Sequence, residues 1–329
     1  METAPTAPPA RRRGARPVLR ALLLPLALPW VAWAALRVSG HDGGYPLPQV
    51  LAFTPYAALG ALATTALAVA TRQVAAAVAA GAAALVLAAC VLPRTVGGPD
   101  GDGAPLRVMT VNLEFGAAYA GQVVALVAAG HVDVLALQEY TPDAQARLAA
   151  HGLDRLLPYR AAYPARSAAG SALYSRHPLT DPRLALLPGG FTQAEAVAHV
   201  PGHPPVRLVS VHPVAPAQGW QVPYWRAGLA AQPPARPGGE LRLLAGDFNA
   251  TLDHPRLRRL VATGYRDAAS VLGRGLVPTW PFDGRRVPWV TIDHVLADAR
   301  FGVRGYAVEP VGGTDHRAVL VTLAWPAKR

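Results

Sequence analysis

Cysteine is nearly missing from this sequence. Cys90 is the only one among 329 residues, and it lies inside an apolar run. The rest of the chain therefore has no disulfide, no thiol nucleophile and no thiolate zinc site to draw on. Lysine is as scarce, Lys328 standing alone, and charged residues total 16%. No Gly-x-Ser-x-Gly stretch occurs, which argues against acyl transfer from a nucleophile elbow. Charge is absent altogether from Gly43 to Thr71 and again from Gln73 to Pro93.

What fills those gaps is apolar. Hydrophobic residues make up 52% and mean hydropathy is +0.22, too apolar for an ordinary soluble protein. Both charge-free stretches exceed the roughly 20 residues that cross a bilayer as a helix. A shorter run, Ala21 to Leu36, is flanked by Arg20 and Arg37, which can snorkel towards headgroups. Trp30 and Trp33 suit an interface near its outer end. The expectation is a membrane region over 18–93 with three transmembrane helices, at about 18–37, 47–71 and 73–93, behind a basic tail at 1–17. Arg11, Arg12, Arg13, Arg16 and Arg20 hold that tail in the cytoplasm by the positive-inside rule, and Arg72 marks the inner loop. Three crossings then place the rest of the chain outside. A rival reading takes 1–34 as a cleaved signal peptide ending in Ala32-Trp33-Ala34, leaving two spans and the same outer location.

The net charge of +11 divides into +6 over residues 1–99 and +5 over residues 100–329. About half of the excess is thus a topological signal. A domain at +5 tolerates a phosphate-bearing or anionic-lipid substrate but is not by itself a nucleic-acid surface.

Residues 94–105, RTVGGPDGDGAP, read as a linker. Beyond it, over 106–326, short apolar runs alternate with helical stretches. Strands are expected at 106–113, 132–139, 170–176, 195–200, 206–212, 241–247, 290–297 and 316–325, and helices at 120–130, 142–152 and 255–264. Loops are expected at 177–194 and 213–239, shaping a substrate groove, and Trp220, Tyr224 and Trp225 are expected to pack rather than to meet lipid. The pattern is α/β.

Polar residues recur where these strands end. Asn112 and Glu139 close the first two, His212 closes another, and Asp247 with Asn249 follows the next in AGDFNAT. Asp293 interrupts one strand, and Asp315 with His316 precedes the last. Alone, each is a turn former or a cap. Together they are chemically coherent. Glu139, Asp247, Asn249 and Asp315 are hard oxygen donors suited to Mg²⁺ or Mn²⁺. His212 and His316 can move protons or meet a phosphoryl oxygen, and Asp293 can orient His316. Metal-assisted phosphate-ester hydrolysis fits these parts.

In order, VMTVNL, LALQE, SALYSRHPL, VSVHP, GDFNAT, TWP, TIDHVL and GTDHRAV resemble the motifs of the endonuclease/exonuclease/phosphatase superfamily, across about 106–324. The resemblance implies a four-layer sandwich of two mixed β-sheets flanked by helices. It implies that Glu139 binds the metal with Asn112 and Asp315 close by, that Asp247 orients or deprotonates water, and that Asn249 contacts the phosphate. His316, held by Asp293, would stabilise the transition state, and His212 would bind phosphate or protonate the leaving oxygen. Three spans ahead of such a domain are similar to a membrane-anchored bacterial branch that includes proteins associated with teicoplanin resistance. A lipid-linked envelope phosphate is then the expected substrate class. An extracellular nuclease and an inactive envelope-binding module remain as alternatives, nucleic acid being the less favoured partner.

The topology has a direct test. Alkaline phosphatase fused after Arg329 should be active, because it folds only outside the cytoplasm. A well-expressed but inactive fusion would refute the outer placement.

Overall fold

The computed structural model describes residues 15–285 and 287–326, so Arg11, Arg12 and Arg13 of the expected basic tail lie outside the described residues. The chain divides into two compact units. One holds the apolar helices α1 (Ala15–Ser39), α3 (Thr54–Ala70, from Pro55) and α4 (Val74–Val91, to Ala89). The other holds residues 40–54, with the short helix α2 (Leu47–Leu51), and everything from Cys90 onward.

The helical unit packs through small residues. Ala34, Ala57, Ala61, Ala83, Ala84 and Leu87 form its interior, and Trp30 donates to Thr64 Oγ1 at 2.9 Å. Leu24, Leu28, Leu59, Leu62, Val78 and Leu85 point outward. Most of the buried groups of this unit are alanines, joined by Leu23 and Leu87, while several leucines and valines are exposed. Among the described residues, one helix, Val74–Thr95, is long and apolar enough to cross a membrane; Leu23–Ser39 and Thr54–Ala70 are shorter apolar helices.

The second unit contains two six-stranded mixed sheets. The strands are β1 (Pro105–Asn112), β2 (Val134–Gln138), β3 (Tyr159–Tyr163), β4 (Ser171–Ser175), β5 (Leu179–Leu186) and β6 (Thr192–Ala198). They continue with β7 (Val206–Val211), β8 (Leu241–Asp247), β9 (Tyr265–Asp267), β10 (Asp293–Asp298), β11 (Gly302–Pro310) and β12 (Arg317–Ala324). The sheet orders are β11-β12-β1-β2-β4-β3 and β5-β6-β7-β8-β10-β9. Among the described strands only β1 with β2 and β7 with β8 run parallel. Leu106, Val108, Leu173, Leu208, Leu243 and Phe301 belong to the apolar layer between the sheets. Helices α5 (Ala120–Ala129), α6 (Pro142–Ala150) and α7 (Leu153–Leu156) cover one outer face. Helices α8 (Val222–Ala230) and α9 (Pro255–Val261) cover the other, and α10 (Ala268–Val271) follows β9. The sandwich expected from the sequence is present, with sheets flanked by helices.

The expected loops differ. Segment 177–194 contains β5, and 213–239 contains α8. Strand β5 is largely exposed and interrupted at Asp181-Pro182, where its register shifts, so it carries no apolar run. Strands β3, β9 and β11 also lay outside the expected set. With β5 these are the four sheet edges, where one flank meets solvent or loops and the sequence need not be continuously apolar.

A buried polar bridge joins the sheets. Gln138 donates from Nε2 to Ser210 Oγ at 2.9 Å and accepts from Thr110 Oγ1 at 3.2 Å, while Ser210 donates to the Leu137 carbonyl at 3.0 Å. Gln138→Leu leaves the Thr110 hydroxyl stranded, and should lower unfolding free energy by about 1–3 kcal/mol in urea melts. Unchanged stability would show that the bridge contributes nothing.

Candidate active site

Strand register assembles the polar residues at one end of the sandwich. In the parallel β1–β2 pair Asn112 faces Gln138, which puts Glu139 one residue beyond. Asp293, first in β10, pairs directly with Asp247, last in β8. The parallel β7–β8 pair matches Val211 with Gly246, so His212 arrives beside Asp247. Gly246 has no side chain because a Cβ there would meet the Val211 carbonyl oxygen at 2.1 Å. Strand β12 runs antiparallel to β1, and Thr314 just ahead of it donates to the Asn112 carbonyl at 2.9 Å, which brings in Asp315 and His316.

All eight sequence-derived residues fall within this one network. Asn112 Nδ2 donates to Glu139 Oε1 and to Asp247 Oδ2, both at 3.1 Å. His316 Nδ1 lies 3.1 and 3.0 Å from the two Asp293 oxygens, and its Nε2 lies 3.6 Å from Asp247 Oδ2 and 3.7 Å from Asp315 Oδ1. His212 Nε2 stands 3.8 Å from Glu139 Oε1 and 3.7 Å from Asp247 Oδ2. The Asn249 amide N–H donates to Asp247 Oδ1 at 2.7 Å, and its side chain donates to the Pro213 carbonyl at 3.1 Å. Glu139 and Asn249 both hold left-handed backbone, φ 54° and 48°. Non-glycine residues adopt that conformation at a cost of order 1–3 kcal/mol, and retain it only where the surroundings over-determine it.

Burial sets the charge states. Desolvation would lower the His316 pKa, but the Asp293 and Asp247 carboxylates win and raise it to about 10. His316 is therefore an imidazolium at neutral pH. His212 goes the other way: burial, aided by repulsion from His316, lowers it to about 3, so it is neutral. Burial lifts Asp247 to about 7 against the pull of His316. Burial also raises Glu139, opposed by the hydrogen bond from the Phe115 N–H at 2.7 Å.

This donor set fits a divalent cation. Glu139, Asp247, Asp293 and Asp315 converge, and among the described residues the cations facing them are His316 and Arg285, whose Nη1 meets Asp315 Oδ2 at 3.0 Å. Such an excess of hard oxygen suits Mg²⁺ or Mn²⁺ better than a softer metal. Ligand atoms of Asp247, Asp293 and His316 also lie within 4.8 Å of one another. A protonated imidazole offers a metal no lone pair, and His316 Nδ1 already meets Asp293.

Sequence reasoning missed several supports. Glu114 accepts from the Asp315 N–H at 2.8 Å, and Trp280 Nε1 donates to Asp315 Oδ2 at 2.8 Å. Arg285 lies on the loop after TWP with no local signal to mark it. Trp225 is buried as expected and donates to the Asn249 carbonyl at 3.0 Å. Trp220 and Tyr224 do not pack inward; they are 64% and 43% exposed and meet each other edge to face.

The family model of the endonuclease/exonuclease/phosphatase family matches residues 109–316. Among solved structures, an endonuclease/exonuclease/phosphatase from Beutenbergia cavernae is similar at TM-score 0.54 and 21% identity, over 68% of this chain and 72% of that one. A truncated Caenorhabditis elegans TDP2 is similar at TM-score 0.52 and 17% identity, over 68% and 100%. A family protein from Bacteroides thetaiotaomicron gives TM-score 0.50 and 16% identity, over 68% and 99%. At these identities the likeness is one of fold. No protein of curated function matches.

Because the folded pKa of His316 lies above its unfolded value near 6.5, the stabilisation from its carboxylate partners is full below that value and lost as pH rises through about 10. Asp293→Asn should move the His316 transition down by at least about one unit, read from imidazole proton shifts of the metal-free protein. An unmoved transition would assign the shift to other groups.

Proposed function

Because this chain belongs to the endonuclease/exonuclease/phosphatase family, we propose that it is a membrane-anchored, Mg²⁺- or Mn²⁺-dependent phosphoesterase working at the outer face of the cytoplasmic membrane. The observation that carries the hydrolytic reading is the His316–Asp293 pair set against Asp247, with Asn112 linking Asp247 to Glu139. A cation held by Glu139, with Asn112 and Asp315 beside it, would supply Lewis-acid polarisation of a phosphoryl oxygen. The chain's own residues do the rest. Asp247, raised towards neutrality by burial, takes a proton from the attacking water at Oδ2. Imidazolium His316 faces the charge that develops on the phosphoryl oxygens, and Asp293 keeps it protonated and aimed. Asn249 and neutral His212 complete the phosphate-facing wall.

Three features support the membrane reading. Val74–Thr95 has the length and composition of a span, α1 and α3 are apolar, and the helical unit turns its large side chains outward. In the three-span arrangement α1 and α3 cross beside Val74–Thr95, through their shorter apolar stretches Leu23–Ser39 and Thr54–Ala70. A lipid-linked envelope phosphate as substrate, with a role in glycopeptide resistance, follows from the resemblance of three apolar segments ahead of such a domain. A nuclease is disfavoured by the modest +5 of residues 100–329 and by how many of their arginines, such as Arg207, Arg226 and Arg300, are already paired with carboxylates. An inactive binding module is disfavoured by the complete acid and imidazole set.

Glu139→Gln and His316→Asn should each reduce metal-dependent hydrolysis of a generic phosphodiester by about 10³-fold in the folded full-length chain. Full activity in both variants, with wild-type circular dichroism, would remove this assignment.

A further inference from the structure

Residues 40–53 lie far from the catalytic motifs in sequence, between two apolar helices, yet they are packed into the catalytic unit. Asp42 is 7% exposed and bridges Arg226 of α8 at 2.9 Å and Arg256 of α9 at 3.2 Å. Arg259 donates to the Gly40 carbonyl at 2.6 Å. Gln49 donates to the Pro216 carbonyl, and buried His254 donates from Nε2 to the Pro48 carbonyl at 2.7 Å. His254 Nδ1 accepts from the Thr251 N–H at 2.9 Å, which matches the neutral form that burial favours. Next to it Arg94 and Asp253 make a two-pronged buried ion pair.

Two routes lead from this segment to Asn249. In the first, Pro48 holds His254, whose ring packs edge to face on Trp225 at 5.1 Å, and Trp225 holds the Asn249 carbonyl. In the second, Gln49 holds Pro216 of the loop whose Pro213 carbonyl accepts the Asn249 side chain. Asn249 is the residue in left-handed backbone that donates its N–H to Asp247. A conformation of that kind needs external support, and both of its hydrogen-bonded ends receive it here.

We propose that residues 40–53 are a buttress of the catalytic unit, positioning Asn249, and through it Asp247, by way of His254–Trp225 and the 213–216 loop. The segment is thus a working part of the enzyme as well as a connection between helices. This rests on the reading of Asp247 and Asn249 as groups at the reaction centre. His254, Gln49 and Trp225 are positioning residues, since none touches the reacting atoms. The buried ion pair of Arg94 with Asp253 holds the same 251–254 loop from a second direction.

The test uses the full-length chain with His254→Ala, His254→Gln and Gln49→Ala. His254→Ala should lower kcat for a soluble phosphodiester by about 10²-fold while KM changes by less than about threefold, because misplacing a group by about an ångström costs that much. His254→Gln, which keeps an N–H for the Pro48 carbonyl, should recover most of the loss, and Gln49→Ala should fall between. Amide exchange should speed up in 213–217 and 248–254 and stay at the wild-type rate in α5. Unchanged exchange in those loops, or a rise spread evenly through the domain, would overturn the buttress. Should the wild-type chain hydrolyse no phosphodiester, the catalytic reading falls, and the exchange pattern still decides whether the segment supports the loops.

Discussion

Carboxylates forced together away from water repel, and the end of this sandwich confines four of them. Strand pairing brings Asp247 against Asp293, and Asn112 ties Asp247 to Glu139, with Asp315 arriving ahead of β12. Nothing in the apolar layer beneath can offset that charge. The offset comes from His316, locked as an imidazolium between Asp293, Asp247 and Asp315, from Arg285 on Asp315, and from the N–H groups of Phe115 and Asn249. A divalent cation is the natural further partner of such a cluster. The residue types at this end are thus dictated as much by the need to survive confinement as by reaction chemistry.

The same confinement explains the backbone. Glu139 and Asn249 follow strands whose last residues are already paired, and each must turn sharply to present its side chain to the cluster. Left-handed φ is the short way to do so, and its cost is met by surrounding bonds: Phe115 and Asn112 on Glu139, and Trp225, Pro213 and Asp247 on Asn249. Support for the GDFNAT turn extends further, through Asp253 to Arg94 and through His254 to Pro48, and also through His294, which spans Asp267 and the Ala250 carbonyl. The hexapeptide is held from the front by the cluster and from behind by chain that precedes the catalytic motifs.

Much of the fold was legible in the sequence, as were the polar residues that lie together at one end of the sandwich, because each left a local mark. The eight inner strands are largely buried and read as mostly apolar runs with few interruptions, such as Arg107, Glu195 and Arg242, and a polar residue at the tip of such a run stands out. The edge strands β3, β5, β9 and β11 left no such mark, being polar, short or interrupted by glycine and proline. Glu114 and Arg285 were equally silent, and TWP marked Trp280 without showing that it meets Asp315, a residue remote in sequence.

By itself the sequence determined where the inner strands run, that apolar helices precede them, and that acids and imidazoles cap their ends. Periodicity and residue chemistry are local, and local information suffices for those features. Tertiary structure alone decided that Asn112 lies between Glu139 and Asp247, that His316 is charged while His212 is neutral, and that residues 40–53 reach Asn249. Those depend on strand register, burial and contacts across some two hundred residues of chain, as with His254 and Pro48, and pairing over such a separation leaves no periodic trace in one sequence.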